Sequence, residues 1–309
     1  MHRPLSRATR GTLFLVAATL RADQSVLPHA HALPRLRAAS GLQLLVDEDN
    51  SAPTLRVVLP GRPESDRAIV ILFPEHVTTR VGHEDREVQQ LYRWEPGGRG
   101  NQPTWRRAGQ ALEYERDLPP SVHFAARATL DSDGVRVRYE FHNRSATSYD
   151  MIYAVTDPRL TSLFHDVRLE RTYVHYPTGF ELLAAETPAR LTLPLQQWLP
   201  ARYAASFTWP VPDRRVERDD DGITHYTTSR RVDEPFIATV SSDTAWVVAS
   251  FTRSTGNVWS NPELTCQHVD PQTTLAPGGT AVTEMKILVL RASLRSAFQH
   301  MLQQRDALH

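Results

Sequence analysis

The stretch WSNPELTCQHVDPQTTLAPGGTAVTEMKILVL, Trp259–Leu290, decides how this chain is read. With the period of two that a strand imposes, Leu264, Cys266, His268 and Asp270 share one face, while Thr265, Gln267 and Val269 take the other. The first face grades from apolar to ionisable, as a strand does when it leaves a core and enters a polar concavity. After it come a turn, Pro277-Gly278-Gly279, and a long β-type run, Ala281 to Arg291. Two readings stay open: a ligand site, or a buried cysteine, a strand end and a solvated Asp-Pro turn.

Outward from this segment the same alternation recurs. Val122, Phe124, Ala126, Ala128 and Leu130 alternate with polar residues. Beyond Asp131-Ser132-Asp133-Gly134, so do Val135, Val137, Tyr139 and Phe141. Two half-buried strands joined by an Asp-Gly turn make a hairpin. Further strands are predicted at 42–46, 54–59, 68–73, 151–156, 167–173, 223–229, 236–241, 245–252 and 264–269. The Trp246–Ala249 run is apolar on both faces, which calls for a strand covered from both sides. Helical spacing is strong only in Leu294, Ala297, Phe298, Met301 and Leu302, after a Ser293 cap. The segments 81–107 and 188–221 read as long loops. Asp219-Asp220-Asp221-Gly222 reads as a solvated turn, with calcium as the minor alternative. The fold class is all-β, of large and mostly antiparallel sheets with a short C-terminal helix.

The chain has 309 residues, with Lys+Arg and Asp+Glu both 35, so it presents no net field for nucleic acid. Lys286 is the single lysine and Cys266 the single cysteine, so no internal disulfide forms. Arg3, Arg7 and Arg10 precede the apolar run Gly11–Leu20, the plan of an export leader over residues 1–32. Residues 33–309 then form a single β-sandwich domain in the periplasm or outside the cell. A short amino-terminal helix on a cytoplasmic chain is the alternative. No later run is long and apolar enough to span a membrane.

No nucleophile elbow, phosphate loop or dinucleotide fingerprint is present. What remains is a set of imidazoles, carboxylates, arginines and aromatic rings on strands and loops, the set that sugar sites use. Rings stack on a pyranose, planar polar groups bind hydroxyls, and a histidine with a carboxylate moves protons. His268 and Asp270 are the catalytic candidates. Arg171, among the apolar residues Val167, Leu169 and Tyr173, is a substrate-binding candidate or one half of a salt bridge. His165, Trp259 and Asn261 complete the binding set. Phe73-Pro74-Glu75-His76 offers another carboxylate and imidazole.

The order Cys266-x-His268-x-Asp270-Pro271, then Leu275–Thr280, then a final strand resembles the carboxy-terminal part of galactose mutarotase-like (aldose 1-epimerase-like) proteins. The resemblance is most visible from Gly134 to Leu290. It implies a supersandwich of two large sheets with a sugar site on a concave face, where a histidine acid and a glutamate base open and close the ring. Here His268 or Asp270 stands in the glutamate's place, and no His-Pro-Tyr-Phe-like segment supplies the partner. The expectation is therefore a carbohydrate-binding protein with sugar-modifying chemistry, needing no cofactor and no metal. The alternatives are a non-catalytic binding or assembly module and a metal-dependent enzyme. The last would join His268 to Cys266 or Asp270 and a third ligand such as His142 or His175.

Overall fold

The computed structural model describes residues 34–47, 52–82, 89–93, 102–185, 198–199, 215–218, 224–227, 232–255, 258–260 and 263–309, with backbone alone at 89–90, 92–93 and the three short segments between 198 and 227. The expected export leader over residues 1–32, Asn261 and the acidic run Asp219–Asp221 lie outside them.

Two large antiparallel sheets dominate. The nineteen strands among the described residues are numbered here in chain order. The first sheet holds β1 (Arg35–Arg37), β2 (Gln43–Val46), β3 (Thr54–Val58), β4 (Ile69–Arg80), β10 (Tyr149–Leu160) and β18 (Thr273–Leu275) in that order, with β5 (Gln89–Arg93) paired to β4. The second runs β12 (Gly179–Leu182), β11 (Thr172–Tyr176), β16 (Phe236–Val240), β17 (Val247–Thr252), β19 (Thr280–Leu290), β9 (Gly134–Asn143), β8 (Val122–Asp131), β7 (Ala111–Leu118), β6 (Arg106–Ala108). A small third sheet joins β13 (Trp198–Leu199), β15 (Thr224–Thr227) and β14 (Arg215–Arg218).

The hairpin read from the sequence is β8–β9, paired from Val122↔Asn143 to Asp131↔Gly134. Its inward residues Phe124, Tyr139 and Phe141 meet Ile69, Ile71 and Phe73 of the other sheet in one core. An aromatic ladder ties the layers. The Phe73 ring lies 5.3 Å from Tyr139 and 5.9 Å from Tyr114, and the Tyr114 hydroxyl donates to the Phe73 carbonyl at 2.5 Å. Rings at these spacings add about 0.5–1.5 kcal/mol each beyond the area they bury.

The double-sided apolar run is β17. Val248 faces the inter-sheet core, while Val247, Ala249 and Phe251 face a second cluster with Phe236, Leu288, Phe298 and Met301. That second cluster is roofed by α1 (Leu294–Gln304), whose Ser293 side chain accepts from Ser296 N at 3.2 Å. Leu302, assigned to the apolar stripe, is instead exposed.

Two strand expectations are corrected. The run 167–173 is not a strand, because the Asp166 carboxylate accepts from Glu170 N (3.0 Å), Arg171 N (2.7 Å) and the Thr172 hydroxyl (2.9 Å), wrapping the chain into a turn with Leu169 at φ 49°. Such local capture of backbone donors by an aspartate competes with sheet pairing. The strand begins only at Thr172. The run 264–269 makes isolated bridges alone, Cys266 with Arg159 and His268 with Trp259, and it turns at Thr265, φ 44°. The loop expected over 81–107 also contains β5.

Candidate functional site

The register between β4 and β10 slips between Val155↔His76 and Asp157↔Leu72, so Phe73, Pro74 and Glu75 stand opposite the single residue Thr156. A bulge of this kind re-aims side chains and is common beside binding sites. Here it brings Glu75 Oε1 within 3.1 Å of Arg159 Nη2, while Arg159 Nε donates to Asp157 Oδ2 at 2.5 Å. Along the free side of the β10 carboxyl half lies the 264–268 segment, through Leu160 N to Leu264 O at 3.1 Å and Gln267 N to Pro158 O at 3.2 Å. Next to it Trp259 and His268 exchange both backbone hydrogen bonds, at 3.1 and 3.0 Å.

These pairings bring Glu75, Asp157, Arg159, Cys266, His268, Asp270 and Trp259 together. The alternation expected for 266–270 survives in part. Gln267 turns the other way, to Ser250, Thr239 and the Val248 carbonyl. The His268 ring lies flat on the Trp259 indole, centroids 3.8 Å apart and planes at 5°. Its Nε2 is 3.5 Å from Asp157 Oδ1, and its Nδ1 is 3.3 Å from Asp270 Oδ2. Both are ion-pair distances without hydrogen-bond geometry. Asp157 Oδ1, His268 Nδ1 and Asp270 Oδ1 are thus buried polar atoms that make no hydrogen bond.

The electrostatics follow from this enclosure. Burial alone favours neutral imidazole at His268. The Cys266 sulfur and the Asp157 and Asp270 carboxylates outweigh it and hold the ring's pKa well above its ordinary value. Burial raises the pKa of Glu75, with Asp157 pushing the same way, although His268 and Arg159 oppose. Burial opposes ionisation of Asp157 too, but His268 and Arg159 lower its pKa. Carboxyls driven in opposite directions within one cluster are the arrangement that assigns acid and base roles.

Access decides which groups meet solvent. The His268 and Asp157 side chains are 1% and 2% exposed, while Glu75, Arg159 and His76 are 28%, 22% and 21% exposed and Trp259 is half-buried. The partly exposed members of the cluster are therefore Glu75, Arg159, His76 and Trp259, while His268 and Asp270 are buried. Neither expected catalytic residue opens directly onto solvent.

The other expected site residues go elsewhere. Arg171 donates to the carbonyls of Val240 (2.7 Å), Leu163 (3.3 Å) and His165 (2.5 Å), which ties a loop rather than lining a pocket. His165 Nε2 contacts the Glu263 carbonyl at 3.1 Å. His142 meets the Thr280 hydroxyl and His175 meets Asp233, so neither is the third ligand that the metal alternative named. Asp157 and Arg159 were missed, and their signal was Thr156-Asp157-Pro158-Arg159. Charges and a proline inside an apolar strand have no reason to be there unless they are paired.

No protein-family model and no curated sequence matches the chain. Among solved structures, it is similar to a proposed aldose 1-epimerase from Escherichia coli K12, with 13% identity, TM-score 0.45, and coverage of 84% of this chain and 99% of that one. A galactose mutarotase related enzyme from Lactobacillus acidophilus gives 9% identity, TM-score 0.44 and 82% and 96% coverage. An alpha-N-acetylgalactosaminidase from Bifidobacterium bifidum gives 11% identity and TM-score 0.45, over 88% of this chain and 39% of that one. The likeness concerns the arrangement of strands alone.

Proposed function

We propose that the chain binds a carbohydrate at the mouth formed by Glu75, Arg159, His76 and Trp259, and transfers protons there as a sugar-modifying, epimerase-like protein. The observation that carries this reading is a half-buried indole stacked on His268, in one buried acid–base cluster with a carboxyl and a guanidinium, Glu75 and Arg159, that are partly exposed. Arg159 and Glu75 supply donors and acceptors for vicinal hydroxyls, and the Trp259 edge supplies an apolar surface. Glu75, with its raised pKa, is the acid at the mouth. His268 and Asp270 act from behind by fixing charge and orientation. The apolar leader after Arg10 supports export, so the ligand is met outside the cytoplasm.

The test pairs a glycan-array screen with NMR measurement of anomer interconversion across a panel of aldoses. The reading expects saturable binding and exchange above the uncatalysed rate. Glu75→Gln should slow that exchange about 100-fold, within the range of one general acid, while binding persists. Binding without exchange would leave the non-catalytic module. Absence of binding to every glycan would remove the carbohydrate reading itself.

A further inference from the structure

Three side chains of different donor type converge in the buried part of this cluster. One donor atom each from Asp157, Cys266 and His268 lie within 4.8 Å of one another, and all three residues are buried. Donors that share one tetrahedral ion with bonds of 2.0–2.3 Å stand roughly 3.3–3.8 Å apart, so side-chain movements of about 1 Å would close the set.

The surroundings are arranged as a metal's would be. Arg159 holds Asp157 Oδ2 at 2.5 Å and leaves Oδ1, a buried atom without a hydrogen bond, on the His268 side, 3.5 Å from Nε2. On the far side of the ring Asp270 Oδ2 lies 3.3 Å from Nδ1. A carboxylate at this ion-pair distance favours a proton on Nδ1, so that Nε2 is the nitrogen that gives up its proton to an ion. The Trp259 face against the ring at 3.8 Å limits its rotation.

We propose that Asp157, Cys266 and His268 form a binding site for a single borderline divalent transition metal, of which zinc is the type. The nitrogen, sulfur and oxygen set selects such an ion over calcium or magnesium, which take oxygen cages of six or more ligands. Thiolate and carboxylate together balance a divalent charge. Three protein ligands leave a fourth position, the plan of zinc sites that act on water or on a ligand oxygen. The site goes beyond the carbohydrate reading and stands or falls without it.

The experiment uses the untagged full chain, stripped with a chelator and titrated with Co²⁺ and then Zn²⁺, without sugar. Cys266 is the only thiol in the chain, so a thiolate-to-cobalt charge-transfer band reports that residue alone. The expected result is one equivalent of Co²⁺, that band, and its bleaching by Zn²⁺. Cys266→Ser should lose the band, and Asp270→Asn should weaken Zn²⁺ binding 10–100-fold. No uptake by folded wild-type chain, uptake without the band, or equal affinity in Cys266→Ser would each overturn the proposal. The wild-type spectrum decides even where a variant fails to fold.

Discussion

Gly134 closes the β8–β9 turn at φ +149°, and a Cβ there would stand 2.0 Å from the Ile287 carbonyl oxygen on β19. Side chains rarely adopt that backbone angle, and this one would also strike main chain that cannot yield. Gly134→Ala is therefore expected to cost about 3 kcal/mol or more, as backbone strain and overpacking combine, read as a drop in urea midpoint. Nearby, Lys286 is buried and meets Asp131 Oδ2 at 2.5 Å and Asp133 Oδ1 at 2.8 Å. Losing one member of a buried pair costs about 3–5 kcal/mol. Both carboxylates here are partly exposed, so Lys286→Met should cost about 2 kcal/mol after discounting for that solvent. Burial would raise the Asp133 pKa, but Lys286 and Gln304 lower it below the ordinary value. Its stabilisation is then present above about pH 4, the unfolded carboxylate value, and is lost as pH falls through the lower folded value. Asp133→Asn should accordingly destabilise by about 1–2 kcal/mol at pH 7, with the difference from wild type vanishing at the acid end of a urea-unfolding series. A difference that persists to pH 2 would refute the assignment.

At the scale of elements, the sequence was most legible where one physical demand acted alone. The β8–β9 hairpin has one core face, one solvent face and a turn that needs glycine, so alternation and Asp133-Gly134 define it. β17 was legible for the opposite reason: Val247, Val248 and Ala249 are covered on both sides. The segments at 167–173 and 264–269 were misread because side chains there override pairing. Asp166 gathers three donors, and Gln267 is drawn out by Ser250, Thr239 and Val248. Alternation shows which residues share a face but not which backbone lies alongside, so Glu75 could not be placed beside Arg159. α1 supplies a clean test of local reading. Ser293→Ala should lower stability by about 1 kcal/mol, and Met301→Ala, at a fully buried position, by about 2–5 kcal/mol. Thermal melts of the two variants separate the cap from the packing.

For the whole molecule, the nine-stranded sheet is the shared wall of two cores, and no local pattern could tell which sheet would cover which face. Its inner face packs on the seven-stranded sheet, and the outer face of β16, β17 and β19 lies under the C-terminal helix. The helix is held at several points: Phe298 stacks on His175 at 4.0 Å, Gln304 donates to Asp133 at 2.6 Å, and beyond it Arg305 pairs with Glu234. A chain ending at Ala292 would lose these ties and uncover Phe236, Val247, Ala249, Phe251 and Leu288 together. The inter-sheet core contains no residue of α1, so it should still form, with a β-type far-UV spectrum retained. Contiguous apolar surface of this kind drives association. The truncated chain is therefore expected to bind a hydrophobic dye and to sediment as oligomers at concentrations where the full chain does not. A monodisperse truncated chain without dye binding would mean that the helix covers nothing the sheet needs covered, and that the molecule has one core and not two.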